Sequence, residues 1–139
     1  MNNKVLVDSG PFIALFNKND TYNVETLTFF KKNKLQIHTT LPVITEVIYV
    51  LDFNINAQSD FLEWISRGGV NIVNFEKNDF KRIKILMLQY KDRPMDFADA
   101  SLVVACENLN CSYVLSVDSD FDIYRFKDKK HFKNLFSSS

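Results

Sequence analysis

Short apolar runs alternate with longer amphipathic stretches along the chain, and this alternation predicts its secondary structure. Continuous apolar runs are typical of strands buried on both faces, whereas apolar positions spaced by three or four residues indicate helices. The predicted strands cover residues 4–7, 35–38, 70–75 and 112–117, with an edge strand near 131–135. The predicted helices cover residues 12–16, 22–32, 41–51, 56–66, 77–90 and 96–108.

Capping and breaking residues set several of the predicted helix boundaries. Thr40 is a predicted N-cap with Pro42 in the first turn that follows, and Gly68 and Gly69 end the helix 56–66. Pro94 is predicted to break the chain before the helix 96–108. Apolar side chains are predicted to share one side of their helices: Val24, Leu27 and Phe30; Phe61, Leu62 and Ile65, facing inward; and Phe80, Ile83, Met87 and Tyr90.

The order of these elements predicts an α/β fold, with a single domain over residues 1–136 and a frayed tail at 137–139. Short strands that are apolar on both faces predict a central parallel sheet of four to five strands, flanked by helices on both faces. In such sheets the functional crevice lies beyond the carboxyl ends of the strands. We therefore expect the functional residues where the strands end.

Composition favours a folded domain in a reducing compartment. The chain has 139 residues, of which 46% are hydrophobic and 24% charged, enough to bury a core without disulfides or zinc. Cys106 and Cys111 are predicted to be free thiols, because two cysteines without a metal-binding spacing form no disulfide framework. We expect no signal peptide and no membrane-spanning segment, and hence a cytoplasmic protein.

The net charge of the chain limits the ways in which it could bind nucleic acid. Lys+Arg and Asp+Glu number 17 each, so the net charge is zero, whereas a protein that holds nucleic acid mainly by charge is usually basic. Any role on nucleic acid must therefore rest on local basic patches, or on metal ions that bridge acidic side chains to phosphate.

Acidic side chains follow two of the predicted strands. Asp8 comes directly after the strand 4–7, and Asp118 and Asp120 come just past the strand 112–117. If these strands are neighbours, three carboxylates meet at one edge of the sheet. The alternative is that each Asp only makes a turn, which is common at strand ends.

Glu46 lies inside the apolar helix 41–51, with Val43 and Val50 as neighbours on the same face. A carboxylate on an apolar face is costly unless something pairs with it. This segment contains no Lys or Arg, so a metal ion is the natural partner. The alternative is that Glu46 lies on a solvated stripe beside Thr45 and Tyr49.

Asp96 and Asp99 are three residues apart at a helix start, so they share a face. Helix N-termini favour negative charge, and N-capping alone could account for Asp96. Capping accounts less well for Asp99, whose small neighbours Ala98 and Ala100 let other backbone approach closely.

Carboxylates gathered in this way repel one another unless a cation is present. An all-oxygen donor set suits Mg²⁺ or Mn²⁺ and argues against zinc. His38 and His131 are predicted to have surface or structural roles and not to bind metal.

Four stretches, in order along almost the whole chain, resemble a PIN domain of the VapC-type toxin group. They read VDSGPFIALF from residue 7, ITEV from residue 44, MDFADASL from residue 95 and LSVDSDF from residue 115. PIN domains are Mg²⁺/Mn²⁺-dependent nucleases built on a central parallel sheet, and the resemblance implies the same here.

The resemblance also assigns residues. It implies that Asp8, Glu46, Asp99 and Asp118 form the catalytic, metal-binding quartet. It places Asp96 and Asp120 at accessory acidic positions that bind metal or orient water, and Ser9 beside the metal. The last stretch has Ser-Val-Asp where many members have Thr before the acid, and a Ser hydroxyl can replace that of Thr.

The implied function is that of an endoribonuclease that hydrolyses RNA phosphodiester bonds, as the toxin of a toxin–antitoxin pair. A small protein antitoxin and a second copy of the chain are the implied partners, and the helices over residues 22–34 and 41–51 carry apolar surface for them. Basic side chains are expected to ring the acidic pocket: Lys91, Arg93, Lys127, Lys129 and Lys130. Two alternatives stay open, a catalytically silent PIN-like module that binds RNA or protein, and an RNA-processing nuclease without an antitoxin.

Two other acid-rich α/β classes fit less well. A haloacid-dehalogenase-like phosphatase needs a second Asp two residues after the first, and here that residue is Gly10. A receiver domain needs adjacent acids after an early strand and a Lys after a late one, and neither is present.

Overall fold

A parallel sheet of five strands, flanked by helices, forms the centre of the computed structural model, which describes residues 3–93 and 95–136. The strands are β1 (Lys4–Val7), β2 (Gln36–Thr39), β3 (Asn71–Ile72), β4 (Tyr113–Leu115), β5 (Arg125–Phe126), β6 (Lys130–His131) and β7 (Lys133–Asn134). The helices are α1 (Ser9–Phe16), α2 (Asn23–Lys32), α3 (Leu41–Val50), α4 (Ile55–Ser66), α5 (Lys77–Gln89), α6 (Phe97–Leu109) and α7 (Asp120–Ile123). A short 3₁₀ helix, Leu51–Phe53, separates α3 from α4.

The order of strands in the sheet is β3-β2-β1-β4-β7, and every neighbouring pair is parallel. In the β1–β4 pair, Val7 lies opposite Leu115, so the two strands end level with each other. The predicted α/β fold with a parallel sheet is therefore confirmed, and β7 is the predicted edge strand, shortened to two residues. β5 and β6 form a separate antiparallel hairpin.

Helix α6 lies at the centre of the core. Its residues from Ala98 to Cys106 are buried except for Asp99, and the helix packs against α3, α5 and β1. A helix that is apolar almost all round belongs in the interior, which is why the segment 97–109 carries so few polar side chains. α6 therefore holds its N-terminal acids in a fixed position.

Leu62 faces solvent, although the spacing of apolar residues predicts that it faces inward. It is 50% exposed while Phe61 is fully buried, because α4 turns only the Phe61 side toward Phe12 and Phe16. Val24 and Leu27, predicted to share one side of α2, and Phe80 are also exposed. The strand predicted at 70–75 pairs only over Asn71–Ile72. Pro94 and the tail 137–139 lie outside the described residues.

Other expectations concern thiols and membranes. Cys106 and Cys111 are both free and buried, as predicted. Within the part of the chain that the structure describes, the helices are too short or too polar to span a bilayer.

A branched ion-pair network fixes the C-terminal segment onto α5 and α6. The Arg82 guanidinium donates to both carboxylate oxygens of Glu107, at 2.9 and 2.8 Å, and to Asp128 at 2.9 Å. Glu107 also accepts the Lys127 backbone N–H at 2.7 Å. The Glu107 side chain is only 11% exposed, so this bidentate pair is shielded from water and is stronger than a surface pair.

We expect Glu107→Ala to lower the free energy of unfolding by about 2 kcal/mol, because it removes a bidentate partner of Arg82 and leaves the Lys127 N–H unpaired. Urea denaturation measures the change. The matched control is Glu63→Ala, which breaks the solvent-exposed Glu63–Arg67 pair and should cost no more than about 0.5 kcal/mol. Equal losses in the two variants would show that the network does not anchor the segment.

Candidate active site

The carboxyl ends of β1 and β4 bring the first two predicted acids to one edge of the sheet. Asp8 continues the β1–β4 ladder, because its N–H donates to the Leu115 carbonyl at 3.0 Å. Its side chain is 6% exposed and caps α1, accepting the Ser9 N–H at 2.8 Å. Gly10 is required here, since a Cβ at this position would overlap Val117. The first turn of α1 therefore packs directly against the chain that leads to Asp118.

The Ser116 hydroxyl lies between these two acids. It is 3.3 Å from Asp8 Oδ2 and 3.3 Å from Asp118 Oδ1, and it accepts the Asp118 N–H at 3.3 Å. A hydroxyl has one proton, so it can donate to only one of the two carboxylates at a time. Asn134 on β7 holds Ser116 in place by pairing with its backbone N–H and carbonyl, at 3.1 and 3.0 Å.

Asp96 and Asp99 cap each other at the start of α6. Asp96 accepts the Asp99 N–H at 2.8 Å, and Asp99 accepts the Asp96 N–H at 3.3 Å. Asp96 is thus the N-cap, as the capping alternative predicted. Asp99 also accepts the Tyr124 hydroxyl at 3.3 Å. Tyr124 is buried, and its ring contacts Tyr90 and Phe121.

Buried hydroxyl groups connect the elements that carry the acids. Thr39 at the end of β2 donates to the Val7 carbonyl at 2.8 Å, directly before Asp8. Thr40, the N-cap of α3, is 2.7 Å from Ser101 of α6. These bonds fix the start of α3 against the start of α6, and so set the position of Glu46 relative to Asp99.

Glu46 lies on α3 at the boundary between a buried face and a solvated one. Its neighbour Val43 is fully buried, but Val50 is 41% exposed, so the face predicted to be apolar is mixed. Glu46 is half-buried and lines a groove of about 860 Å³, with Asp96 in the same lining. The rest of that lining is mainly apolar: Leu41, Pro42, Tyr49, Val73, Phe75, Phe80 and Phe97.

The acids raise one another's pKa. Burial, followed by the charges of Asp118 and Glu46, raises the pKa of Asp8 to about 7, although the hydrogen bond from the Ser9 N–H opposes this rise. Burial, followed by the charges of Asp96, Asp8 and Asp120, raises the pKa of Asp99 to about 8. Such effects require short separations. Acids from four separate segments therefore share one local field.

Asp120 belongs to the same group. Burial raises its pKa, followed by the charges of Asp118 and Asp96. Its backbone N–H donates to Asp118 Oδ1 at 2.9 Å. The first turn of α7 therefore directs the Asp118 side chain, while the Asp120 carboxyl stays exposed.

The predicted basic rim is only partly in place. Lys91 and Arg93 follow α5, where Arg93 N–H donates to the carbonyl of Tyr90, the residue that packs on Tyr124. Lys127 instead contacts Asn110, which caps the far end of α6. Asp99 and Asn110 are separated by roughly 16 Å at 1.5 Å per residue. The prediction that Lys127 rims the acidic pocket is therefore wrong.

The donor set fits a hard divalent cation, because it consists of carboxylate and hydroxyl oxygens. As the side chains stand, the described residues contain no group of three or more Asp, Glu, His or Cys arranged to hold a metal ion. The carboxylates of Asp8, Asp96 and Asp99 point instead to backbone and hydroxyl donors. Metal binding therefore requires these side chains to turn from their caps toward one another.

Ser116, Tyr124 and Asn134 have structural contacts at the site that sequence reasoning did not assign. The hydroxyl of Ser116 had a signal, its position two residues before an acid in the last motif. No sequence signal pointed to Tyr124 or Asn134, because their contacts depend on how the C-terminal segment crosses α6 and β4.

Comparisons with known proteins identify the fold to which this geometry belongs. The family profile named PIN domain matches residues 5–127. VapC20 from Mycobacterium tuberculosis, described as a toxin that cleaves the sarcin–ricin loop, superposes with a TM-score of 0.76 at 14% identity, covering 84% of this chain and 91% of that one. No curated protein sequence matches the chain.

Two further similar structures contain toxin–antitoxin pairs. A toxin–antitoxin complex from Klebsiella pneumoniae has a TM-score of 0.65 at 19% identity, covering 84% of this chain and 89% of that one. VapBC2 from Rickettsia felis, bound to a DNA fragment of its promoter, has a TM-score of 0.64 at 15% identity, with 94% and 98% covered. At sequence identities of 14%, 19% and 15%, the similarity of this chain to the three structures shows a shared fold.

We expect Asp99→Asn to raise the melting temperature of the metal-free protein at pH 8.5 and to have little effect at pH 4. The folded pKa of about 8 lies far above the unfolded value. The stability contributed by a protonated Asp99 is therefore fully present below about pH 4, and is lost as the pH rises through about 8. With allowance for solvent screening, the gain at pH 8.5 should be about 1–2 kcal/mol, or roughly 3–7 °C.

Thermal melts in EDTA at the two pH values measure this effect. Asp60→Asn, on the exposed face of α4, is the control and should be unchanged at both. A clear fall for Asp99→Asn at pH 8.5 would mean that Asp99 acts as a structural cap and is not under repulsion.

Proposed function

The chain belongs to the PIN-domain family, and from that premise we propose that it is a Mg²⁺/Mn²⁺-dependent endoribonuclease that hydrolyses RNA phosphodiester bonds. The observation that carries the proposal is the shared field of acids from four segments at one edge of the sheet. Burial and neighbouring charges raise the pKa of both Asp8 and Asp99. Repulsion of this kind is relieved by a divalent cation.

Asp8, Glu46, Asp99 and Asp118 are the residues that would hold the cation, with Asp96 and Asp120 as accessory acids. When bound, a divalent cation lowers the pKa of water and stabilises negative charge on phosphate oxygens. The protein's own residues orient the ligands: Ser116 lies between Asp8 and Asp118, and Tyr124 donates to Asp99. Asp8 and Asp99 must release their protons before they can act as ligands.

Accessory acids have a further role in this proposal. Asp120 is exposed, and it lies within the same field as Asp118 and Asp96. An exposed carboxylate beside the ligands can accept a proton from the attacking water or hold that water in line with the phosphorus. Asp96, fixed as the N-cap of α6, borders the groove through which a substrate reaches the site.

The first alternative is a catalytically silent PIN-like module that only binds RNA or protein. In such a protein the acids would be expected to be replaced or neutralised by Lys or Arg. Here the ion pairs of the described residues involve Glu63, Glu107 and Asp128, all outside the site. Among the described residues, the buried Asp8 and its neighbouring acids have no ion pair with a cationic side chain, and the cost of this arrangement favours a site that a metal ion completes.

We further propose that the protein is the toxin of a toxin–antitoxin pair. Two of the similar structures are described as toxin–antitoxin assemblies. The groove next to Glu46 and Asp96 exposes Leu41, Tyr49 and Phe97, so an antitoxin segment seated there would cover the acids. An RNA-processing nuclease would have the same site without this partner, and co-purification with the product of a short upstream reading frame separates the two.

The remaining expectations fit this function. Exposed apolar residues of α2, among them Val24 and Leu27, offer a surface for a second copy of the chain. An RNA substrate and two free thiols both fit the cytoplasm.

We expect the purified protein to cleave RNA with Mn²⁺ and to lose this activity in EDTA. Asp8→Asn and Glu46→Gln should each reduce the cleavage rate by about 100-fold or more, because even partners that only orient metal ligands contribute about 10–100-fold. Gel analysis of a structured RNA over a time course measures the rates.

The control is Asp60→Asn, an exposed acid on α4 outside the site, which should retain full activity. Cleavage that persists in EDTA, or in both site variants, would contradict the proposed function. Full activity of Glu46→Gln alone would remove Glu46 from the ligand set.

A further inference from the structure

The C-terminal hairpin concentrates positive charge in a protein whose net charge is zero. Between residues 125 and 133 the chain has five Lys or Arg residues and one Asp. We use the name basic hairpin for residues 125–131, which include β5 and β6. Its three central lysines, Lys127, Lys129 and Lys130, are all exposed.

The turn of the basic hairpin is a two-residue turn. Its central residues, Lys127 and Asp128, have positive φ angles of 51° and 65°, as the turns that hairpins favour require. Asp adopts this region more readily than most residues, whereas for Lys it is uncommon. The Lys129 N–H closes the turn on the Phe126 carbonyl at 3.3 Å.

Contacts with the helices enforce this conformation. Asp128 pairs with Arg82 of α5, and the Lys127 N–H donates to Glu107 of α6. The acids beside the turn are thus occupied by a guanidinium and a backbone donor. The ammonium groups of Lys127 and Lys130 lie 5.4 and 5.6 Å from the Phe126 ring centroid. The lysines are therefore held as a fixed group and not as a mobile tail.

The basic hairpin begins beside the candidate active site and extends away from it. Tyr124, whose hydroxyl contacts Asp99, directly precedes β5, and Lys127 contacts Asn110 at the far end of α6. Along α6, Asp99 is roughly 12 Å from Glu107 and roughly 16 Å from Asn110. At a rise of about 3.4 Å per stacked nucleotide, this span corresponds to roughly four or five nucleotides.

From this placement we propose that the basic hairpin is a second RNA-binding site, which holds the phosphate backbone about four or five nucleotides from the bond that is cut. The proposal rests on the proposed ribonuclease function for its substrate. A strand that enters the acidic site meets uncompensated negative charge there, so its affinity must come from cations elsewhere. The basic hairpin is a fixed cluster of exposed lysines at roughly this distance from the acids, and it starts directly after Tyr124.

The proposal predicts that the lysines strengthen the binding of an RNA long enough to span both sites. The test compares Lys127→Gln/Lys129→Gln/Lys130→Gln with the parent protein, both in an Asp8→Asn background that prevents cleavage. Fluorescence anisotropy with labelled single-stranded RNAs of 12 and 4 nucleotides, in Mg²⁺ at several salt concentrations, measures Kd. For the 12-mer we expect Kd to rise about 10-fold or more in low salt, and the slope of log K against log salt to shrink by about 2.

Three comparisons make the test decisive. The 4-mer should bind the parent more weakly than the 12-mer, because it is too short to contact the acids and the basic hairpin at the same time. The control Lys31→Gln/Lys32→Gln/Lys34→Gln removes the same charge from the exposed end of α2 and should leave 12-mer binding unchanged. Lys127→Arg/Lys129→Arg/Lys130→Arg keeps the charge and should retain binding, and thermal melts verify that every variant is folded.

Unchanged 12-mer binding in the Gln variant would overturn the proposal, as would an equal loss in the α2 control or an equal affinity of the parent for the 12-mer and the 4-mer. These results are separable from the ribonuclease function. Cleavage by the wild type together with normal binding in the Gln variant would remove only the second site. Loss of binding without any cleavage by the wild type would leave an RNA-binding protein and overturn the ribonuclease.

Discussion

Repulsion among carboxylates gathered around the buried Asp8, at the carboxyl end of a parallel sheet, is the constraint on which the rest of this structure depends. Asp8, with a side chain almost excluded from water, lies within the fields of Asp118 and Glu46, and Asp99 lies within those of Asp96, Asp8 and Asp120. A fold can keep such a group together only if other contacts hold its elements in place. The fully buried strand β1 and the almost wholly buried helix α6 supply those contacts.

In residues 3–93 and 95–136, the side chains that contact the acids are neutral hydrogen-bond donors. Ser116 and Tyr124 donate hydroxyl protons to carboxylates, while the Arg82 network lies toward the other end of α6. This separation has a functional meaning. A Lys or Arg inside the site would satisfy the acids permanently and exclude a metal ion, whereas hydroxyl donors orient the carboxylates and leave their charge available.

Much of this architecture could be predicted from the chain, and the failures have identifiable causes. The strand Lys4–Val7 and the N-cap Thr40 depend on local signals, an apolar run and a capping hydroxyl, and both are found as predicted. Leu62 was predicted to be buried, but the width of the buried face of α4 depends on what packs against it. Asp8 and Asp118 lie at one edge of the sheet, as predicted for neighbouring strands, because parallel strands bring their carboxyl ends together. The role of the acids as metal ligands stays a prediction. The partners of those acids, Tyr124 and Asn134, depend on the path of the C-terminal segment, which periodicity does not describe. The same limitation explains the misplacement of Lys127.

The central claim is that these acids form a binding site for a divalent cation, and binding should displace protons from the carboxyls whose pKa is raised. Calorimetric titration of Mn²⁺ at pH 6.5, in two buffers of different ionisation enthalpy, measures affinity and proton release together. The account predicts saturable binding with the release of between about one and two protons, and Asp8→Asn should weaken the binding and reduce that number. No binding at millimolar Mn²⁺, or binding with the same heat in both buffers and in Asp8→Asn, would contradict it.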